Sequence, residues 1–380
     1  MLWTQPTNQL CGFRGEMLKT LQQAIDLKGP LSIASYMKTC LTDPQHGYYM
    51  KKDPFGSKGD FVTSPEISQM FGELVGINIL TQWLALKRPK NIRLIEFGPG
   101  RGTLMSDMLR AMKTFGEFYS AINRIELVEA SQTLSSIQKT RLGEFNKPLV
   151  WHTVCQQISE EQIPTFIVAH EFFDALPVHQ FEKTEKGWHE RVVNINEPGK
   201  IATFLAPNKV MDRSLCAQPR FNRLPIPSQV EISPESWTVT QKIAQVLKAG
   251  QGGALFMDYG SIDTVPSNTF RAFKNHKQVD PFAEPGDADL TADVDFTALK
   301  EICQSTGLNV DGPVRQDDWL HSMGIGARAT VLYDSQTTQQ AKDRIASAYK
   351  RLTDPLHMGK TYKVMSVSTM GGVEGFTQNY

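Results

Sequence analysis

Leu94-Ile95-Glu96-Phe97-Gly98-Pro99-Gly100-Arg101-Gly102-Thr103-Leu104 decides how this 380-residue chain is read. A short apolar run ends in the acid Glu96 and breaks into a turn with glycines at 98, 100 and 102. From Thr103, apolar residues recur at helical spacing through Leu104, Met108 and Leu109. Strand, glycine turn and helix in succession is how an α/β sheet offers backbone N–H groups and a helix N-terminus to a nucleotide-like ligand. Glycine lets the backbone approach that ligand because it carries no Cβ. A P-loop needs Gly-Lys-Ser/Thr to close its turn, yet Thr103 follows Gly102 directly. A dinucleotide fingerprint needs its third glycine at 103, where Thr103 stands.

The remaining pattern, Glu-x-Gly-x-Gly-x-Gly, resembles the first motif of S-adenosylmethionine-dependent methyltransferases. In that resemblance the turn takes the amino-acid end and ribose of the cofactor, and Glu96 answers its ammonium group. The alternative is a tight turn with no ligand. A second acid, Glu129, ends the next apolar run, Arg124 to Val128. An acid at the tip of the second strand suits ribose hydroxyls, since a carboxylate accepts from two neighbouring O–H groups. That role fits a nucleoside ligand without choosing the cofactor, and a solvated strand-end acid is its alternative.

Hydrophobic content of 40% and charged content of 21% describe a globular chain. Forty basic and forty acidic residues cancel, so nothing global favours nucleic acid or an anionic membrane as partner. Even the apolar stretch Ile77 to Leu86 is interrupted by Asn78, Thr81 and Gln82, so no membrane insertion is expected. The five cysteines, at 11, 40, 155, 216 and 303, have no zinc-like spacing, and no metal is expected. Residues 1 to 15 lack acids and carry Arg14, which permits either an organellar presequence remnant or an ordinary cytosolic start.

Helical spacing is expected from Gly15 to Leu27, after Ser32, and from Ser64-Pro65-Glu66 to about Lys87. Residues 43 to 65 form a proline- and glycine-rich stretch with aromatics, read as a functional loop. Thr165 to Ala169 is a continuous apolar run of the central parallel type, and Gly253 to Gly260 resumes the parallel sheet. Residues 178 to 250 change to short alternating strands and read as an antiparallel insertion. Late strands are expected at Asn309–Val314 and Ala329–Leu332, with Tyr362–Ser366 a last strand or a tail. The expected class is α/β with a doubly wound, mostly parallel sheet. Its expected parts are a helical region and loop over 1–90, sheet segments over 91–177 and 251–380, and the insertion between them.

Ligands of open α/β sheets bind outside the carboxyl ends of the strands. Four strands here end in acids: Glu96, Glu129, Glu171 with Asp174, and Asp258. Such a rim suits a cationic cofactor and a cationic acceptor. A guanidinium stays protonated in water, and carboxylates hold it bidentately. Glu171 and Asp174 are the candidate catalytic pair for that work; acids answering a helix N-terminus are the alternative. His170 and His276 are candidate proton acceptors, and Asp289, Asp293 and Asp295 face substrate or cap the helix that follows.

Several stretches together resemble the MidA-like S-adenosylmethionine-dependent methyltransferases, whose mitochondrial members are complex I assembly factors that methylate protein arginine. They are Gly59–Ser68, Glu96–Leu104, Ala169–His179, Asp258-Tyr259-Gly260, Asp289–Phe296 and Met358–Val364, in family order over most of the chain. The resemblance implies a Rossmann-like methyltransferase fold with S-adenosyl-L-methionine as cofactor. It implies cofactor contacts from Gly98, Gly100, Gly102 and Glu129, with Gly59, Asp60, Thr63 and Ser64 in a covering loop. Glu66, Asp258, Tyr259, Asp289 and Asp293 are the expected substrate contacts. The implied substrate is an arginine on a core peripheral-arm subunit of complex I, in the mitochondrial matrix. The segment Gln132 to Pro164 is shorter than in animal relatives and leaves the adenine contact open between Trp151 and Cys155. Two other readings stay open: a non-catalytic assembly factor that binds the same cofactor, and an NAD-dependent oxidoreductase, which Thr103 disfavours.

Overall fold

The computed structural model describes residues 11–51, 63–197, 200–209, 213–216, 218–262 and 264–376. Gly59 and Asp60 lie outside the described residues. The chain divides into two compact units, each assembled from three separate segments. One comprises Phe55–Asp174, Glu235–Thr264 and Asp293–Tyr380; the other comprises Met1–Pro54, Ala175–Pro234 and Val265–Ala292.

The first unit carries the large sheet. Its strands are β1 (Ile92–Phe97), β2 (Ile122–Val128), β3 (Leu149–His152), β4 (Thr165–His170), β5 (Gly252–Ser261), β6 (Asn309–Arg315) and β7 (Tyr362–Ser368). They lie in the order β6-β7-β5-β4-β1-β2-β3, with the short strand Val294–Asp295 paired to β5. Strands β3 to β5 along this order are parallel, whereas β7 runs antiparallel to both β5 and β6. Every residue of β1 and β4 is buried, the state of central strands covered on both faces. The helices α1 (Gln69–Ala85), α2 (Thr103–Met112) and α3 (Gln132–Leu142) flank the glycine turn or supply its cover. Phe71, Val75 and Ile79 of α1, Leu104 and Met108 of α2, Leu94 and Leu255 share one apolar core.

Two local expectations change. The helix expected from Ser64 to Lys87 is interrupted at Ser68, whose backbone is extended and whose hydroxyl accepts the Met70 N–H. A separate turn, Ser64–Ile67, therefore precedes α1 and sets the direction of Glu66 independently. The strand expected over Ala329–Leu332 lies instead within the helix Ile325–Asp334. Ile325, Ala329 and Leu332 fall on one helical face, and that spacing outweighs the β-branched Val331.

The second unit holds helices Cys11–Lys28 and Ile33–Thr42 with an antiparallel sheet built mainly from His179–Thr184, Gly187–Glu197, Lys200–Lys209 and Ser228–Ile232. Arg271–Lys274, Lys277–Val279 and Asp289–Thr291 form a further antiparallel sheet where a long loop was expected. The expected cuts at 90 and 250 do not coincide with these units, whereas that at 177 lies beside the boundary at 174/175. Residues 265–292 join the N-terminal helices in one core with Met17, Met37 and Leu290, and the Tyr36 hydroxyl donates to the Pro281 carbonyl at 2.7 Å. Such pairing is long-range and leaves no mark at the segment ends.

Candidate functional site

At the carboxyl ends of β1 and β4 lies a small cleft. Thr63 and Glu66 of the turn before α1, Glu96, Gly98 and Gly100 of the glycine turn, and His170 and Glu171 line it. Gly98 and Gly102 both have left-handed backbones, with φ of 62° and 76°. A Cβ on Gly98 would also stand 3.0 Å from the Phe172 ring. Gly98→Val is therefore expected to weaken adenosyl-ligand binding by at least tenfold, because left-handed backbone costs a side chain about 1–2 kcal/mol before any clash. Calorimetric titration with S-adenosylhomocysteine measures it; unchanged affinity would remove the turn from the binding site.

Glu96 is 2% exposed and its Oε2 has no hydrogen-bond partner. Burial, and then the nearby Glu129, pushes its pKa up to about 8. Glu129 is pushed up to about 7 by burial, against the Ser131 N–H and Gln138 that bond its carboxylate. Gln138, fully buried on α3, was missed by the sequence reading. Its Nε2 donates to the Gly100 carbonyl at 2.7 Å and to Glu129 at 3.1 Å, and its Oε1 accepts the Trp151 indole N–H at 2.8 Å. One signal was present: Gln138 lies four residues from each of the apolar Leu134 and Leu142, on the buried face of the helix. Trp151 thus reaches the glycine turn through Gln138, whereas Cys155 is a buried thiol in the turn Cys155–Gln157.

Glu171 follows β4 with φ of 48°, a strained conformation for a residue with a side chain. Its N–H donates to the Met257 carbonyl at 2.9 Å. The next three N–H groups, of Phe172, Phe173 and Asp174, all donate to Asp258 Oδ2 at 3.0–3.2 Å. No helix begins at these acids, so helix-dipole compensation does not account for them. Burial, then the negative Asp174, pushes Glu171 up to about 8, opposed by hydrogen bonds from the Ser64 N–H and the Tyr362 hydroxyl. Glu171 Oε1 has no hydrogen-bond partner; it lies 3.5 Å from His170 Nε2. That contact is not an ion pair. His170 is 7% exposed, and burial lowers its pKa to about 3, leaving a neutral imidazole that is too weak a base for proton abstraction.

The remaining expected contacts divide. Asp258 is fully buried and occupied by backbone N–H groups, so it braces the loop and does not meet a substrate. Tyr259 is likewise turned inward, its hydroxyl donating to Asp174 Oδ2. Glu66 accepts from the Thr103 hydroxyl at the start of α2, which joins it to the glycine turn. Ser64 is buried, its N–H on Glu171 and its hydroxyl 3.9 Å from Met358 sulfur. Asp293 is half-buried near Lys363, whose pKa burial lowers while Asp293 opposes. Asp295 caps the helix Phe296–Ser305. Asp289 belongs to the other unit, where it accepts from the Tyr49 hydroxyl at 2.8 Å. His276 is exposed in a hairpin turn of that same unit. Among the described residues, no helix is long and apolar enough to cross a membrane, and no cluster of His, Cys, Asp and Glu has the makings of a metal site.

Residues 74–314 match a family model described as "Putative S-adenosyl-L-methionine-dependent methyltransferase". The chain is 36% identical over 390 residues to "Protein arginine methyltransferase NDUFAF7, mitochondrial" of Xenopus tropicalis, covering 95% of this chain and 89% of that protein. The Homo sapiens protein of the same name is 36% identical over 372 residues, covering 92% and 83%. A Burkholderia thailandensis protein crystallised with S-adenosyl-homocysteine has a TM-score of 0.85 over 100% of this chain and 98% of its own. At 24% identity that likeness is one of fold.

Proposed function

Since this chain belongs to the S-adenosyl-L-methionine-dependent methyltransferase family, we propose that it transfers a methyl group to arginine in a protein. The cofactor suits the residues present: Glu96 offers an unpartnered carboxyl oxygen for an ammonium group, and Gly98 has no Cβ to bar the approach. Thr63, Glu66, Gly100, Gly102 and Glu129 are the further residues that would hold it. When bound, the cofactor supplies a methyl group already activated on a sulfonium.

One observation carries the acceptor: a buried acid, Glu171, lines the cleft with one oxygen unpaired. A guanidinium entering there brings the countercharge that burial denies this acid, and deprotonated Glu171 then holds it by charge-assisted hydrogen bonds. Asp174, behind Glu171, adds a second negative group and draws guanidinium charge away from the reacting nitrogen. The buried surroundings of both acids exclude water and fix the acceptor's orientation. The names of the similar proteins support a mitochondrial location. We extend the reading to the matrix and to an arginine on a core peripheral-arm subunit of complex I, in support of assembly.

The test incubates the protein with methyl-labelled cofactor and peripheral-arm subunits, and maps methylarginine by mass spectrometry. Glu171→Gln and Asp174→Asn are each expected to slow transfer by about 10²-fold, with cofactor affinity kept. Gly100→Val is expected to abolish cofactor binding. Acid variants that support assembly as well as the wild type, with no methylarginine formed, would favour a non-catalytic cofactor-binding factor. Selective binding of NAD would sink the methyltransferase reading.

A further inference from the structure

We propose that Tyr259 and Tyr362 are a matched pair of positioning residues, each hydroxyl clamping one of the two acids of the site, Asp174 and Glu171. The two tyrosines are direct register partners on the antiparallel strands β5 and β7. Opposite residues of an antiparallel pair project from the same face of the sheet. Their rings meet edge-on, 5.4 Å between centroids and 82° between planes. The Tyr259 hydroxyl donates to Asp174 Oδ2, and the Tyr362 hydroxyl lies beside the Glu171 carboxyl and holds its pKa down.

The chemistry explains why a pair is needed. Asp174 and Glu171 repel one another, and each destabilises the other's anion. A phenol donor on each carboxyl offsets that repulsion and selects which oxygen faces the ligand. For Glu171 it leaves Oε1 free beside His170. Burial, and then the acids themselves, pushes both phenols well above their usual range, so both stay donors at any working pH. The groups that act on Glu171 are Asp174, Tyr362, the Ser64 N–H and Arg351, with Asp258 behind them and neutral His170 in front. Of these, Tyr362 is the one side-chain donor whose hydroxyl is removable without changing a formal charge.

This inference rests on Glu171 and Asp174 being the acids that meet the acceptor. Tyr362→Phe keeps the ring contact and deletes the hydroxyl. It is expected to lower kcat about tenfold, leave KM for the cofactor unchanged, and move the acidic limb of the pH profile up by about one pH unit, because a lost donor destabilises the carboxylate. Replacing Tyr362 with 3-fluorotyrosine, whose phenol donates more strongly, is expected to move the limb the other way. Infrared titration of the Glu171 carboxyl, identified by its loss in Glu171→Gln, should show the same two shifts. A limb and a carboxyl titration unmoved in both variants would overturn the clamp. The infrared shift needs no methyl transfer: shifts in a protein that methylates nothing would uphold the clamp and sink the arginine reading.

Discussion

The ligand-free protein is expected to lose stability as the pH rises from about 5 to about 8, and an adenosyl ligand to restore it. Glu96 and Glu171 titrate near 8 and Glu129 near 7 in the folded chain, against roughly 4.3 when unfolded. Across that window the folded state holds protons that the unfolded state has released, so unfolding becomes easier as the pH climbs. At about 1.4 kcal/mol per unit, Glu96 alone accounts for roughly 5 kcal/mol. Glu126, held low by His152, Arg124 and Arg93 against its own burial, works in the opposite direction. Its contribution is complete before the window opens; His170, lowered to about 3 against roughly 6.5 when unfolded, opposes the loss only up to about pH 6.5 and is outweighed by the three raised acids. The ammonium group of an adenosyl ligand supplies the missing countercharge at Glu96, so binding should release protons and tighten with pH. Scanning calorimetry between pH 5 and 8.5, with and without S-adenosylhomocysteine, reads both effects. Glu96→Gln should flatten the curve, and a melting temperature that rises with pH in the ligand-free wild type would refute the assignment.

Asp258→Ala is expected to cost on the order of 5 kcal/mol and to silence the site in whatever folds. The substitution strands the buried N–H groups of Phe172, Phe173 and Asp174, which share one carboxylate oxygen, and each costs about 1–3 kcal/mol unpaired. It also removes the brace of a backbone held at a φ of 48° in Glu171. Asp258→Asn keeps an acceptor oxygen. Burial and the neighbouring acids push the pKa of Asp258 well up, so the amide imitates the neutral acid and should retain most of the stability. Urea titration of the two variants tests this. A loss below about 1 kcal/mol in Asp258→Ala would show that the loop holds without its brace.

Much of the large sheet was legible because its signals are local. The Leu94–Leu104 stretch contains strand, turn and helix start in sequence, and the apolar run Phe166–Ala169 of β4 announces its central position without reference to any other segment. Acids at strand ends were equally visible, and of them Glu96 and Glu171 line the cleft, joined by Glu66 from the turn before α1. Their individual roles were not. Asp258 and Glu171 read alike as strand-end acids, yet Asp258 lies within β5 and is occupied by backbone donors, while Glu171 lies just past β4 and keeps a free oxygen. That difference is set by which way the loop after β4 turns. Tyr362 was visible as the start of a late strand and inside the Met358–Val364 stretch of the resemblance, but its pairing was not, because Tyr259 is remote in the chain and register is a property of pairing. Gln138 carried the right helical phase but the wrong polarity for a core position, since its value lies in three contacts made across the turn.

The position of β7 between β5 and β6 has a consequence for synthesis. A ribosome delivers this strand after every other strand of the sheet. Until it arrives, β5 has an open edge along Gly253 to Tyr259, and Glu171 waits for the Tyr362 hydroxyl. A nascent chain with its cofactor turn already formed is thus still unable to hold its acids in place. On the proposed clamp, the site waits for the final strand, and translation that stops short of Tyr362 yields a chain whose Gly253–Tyr259 edge is unpaired.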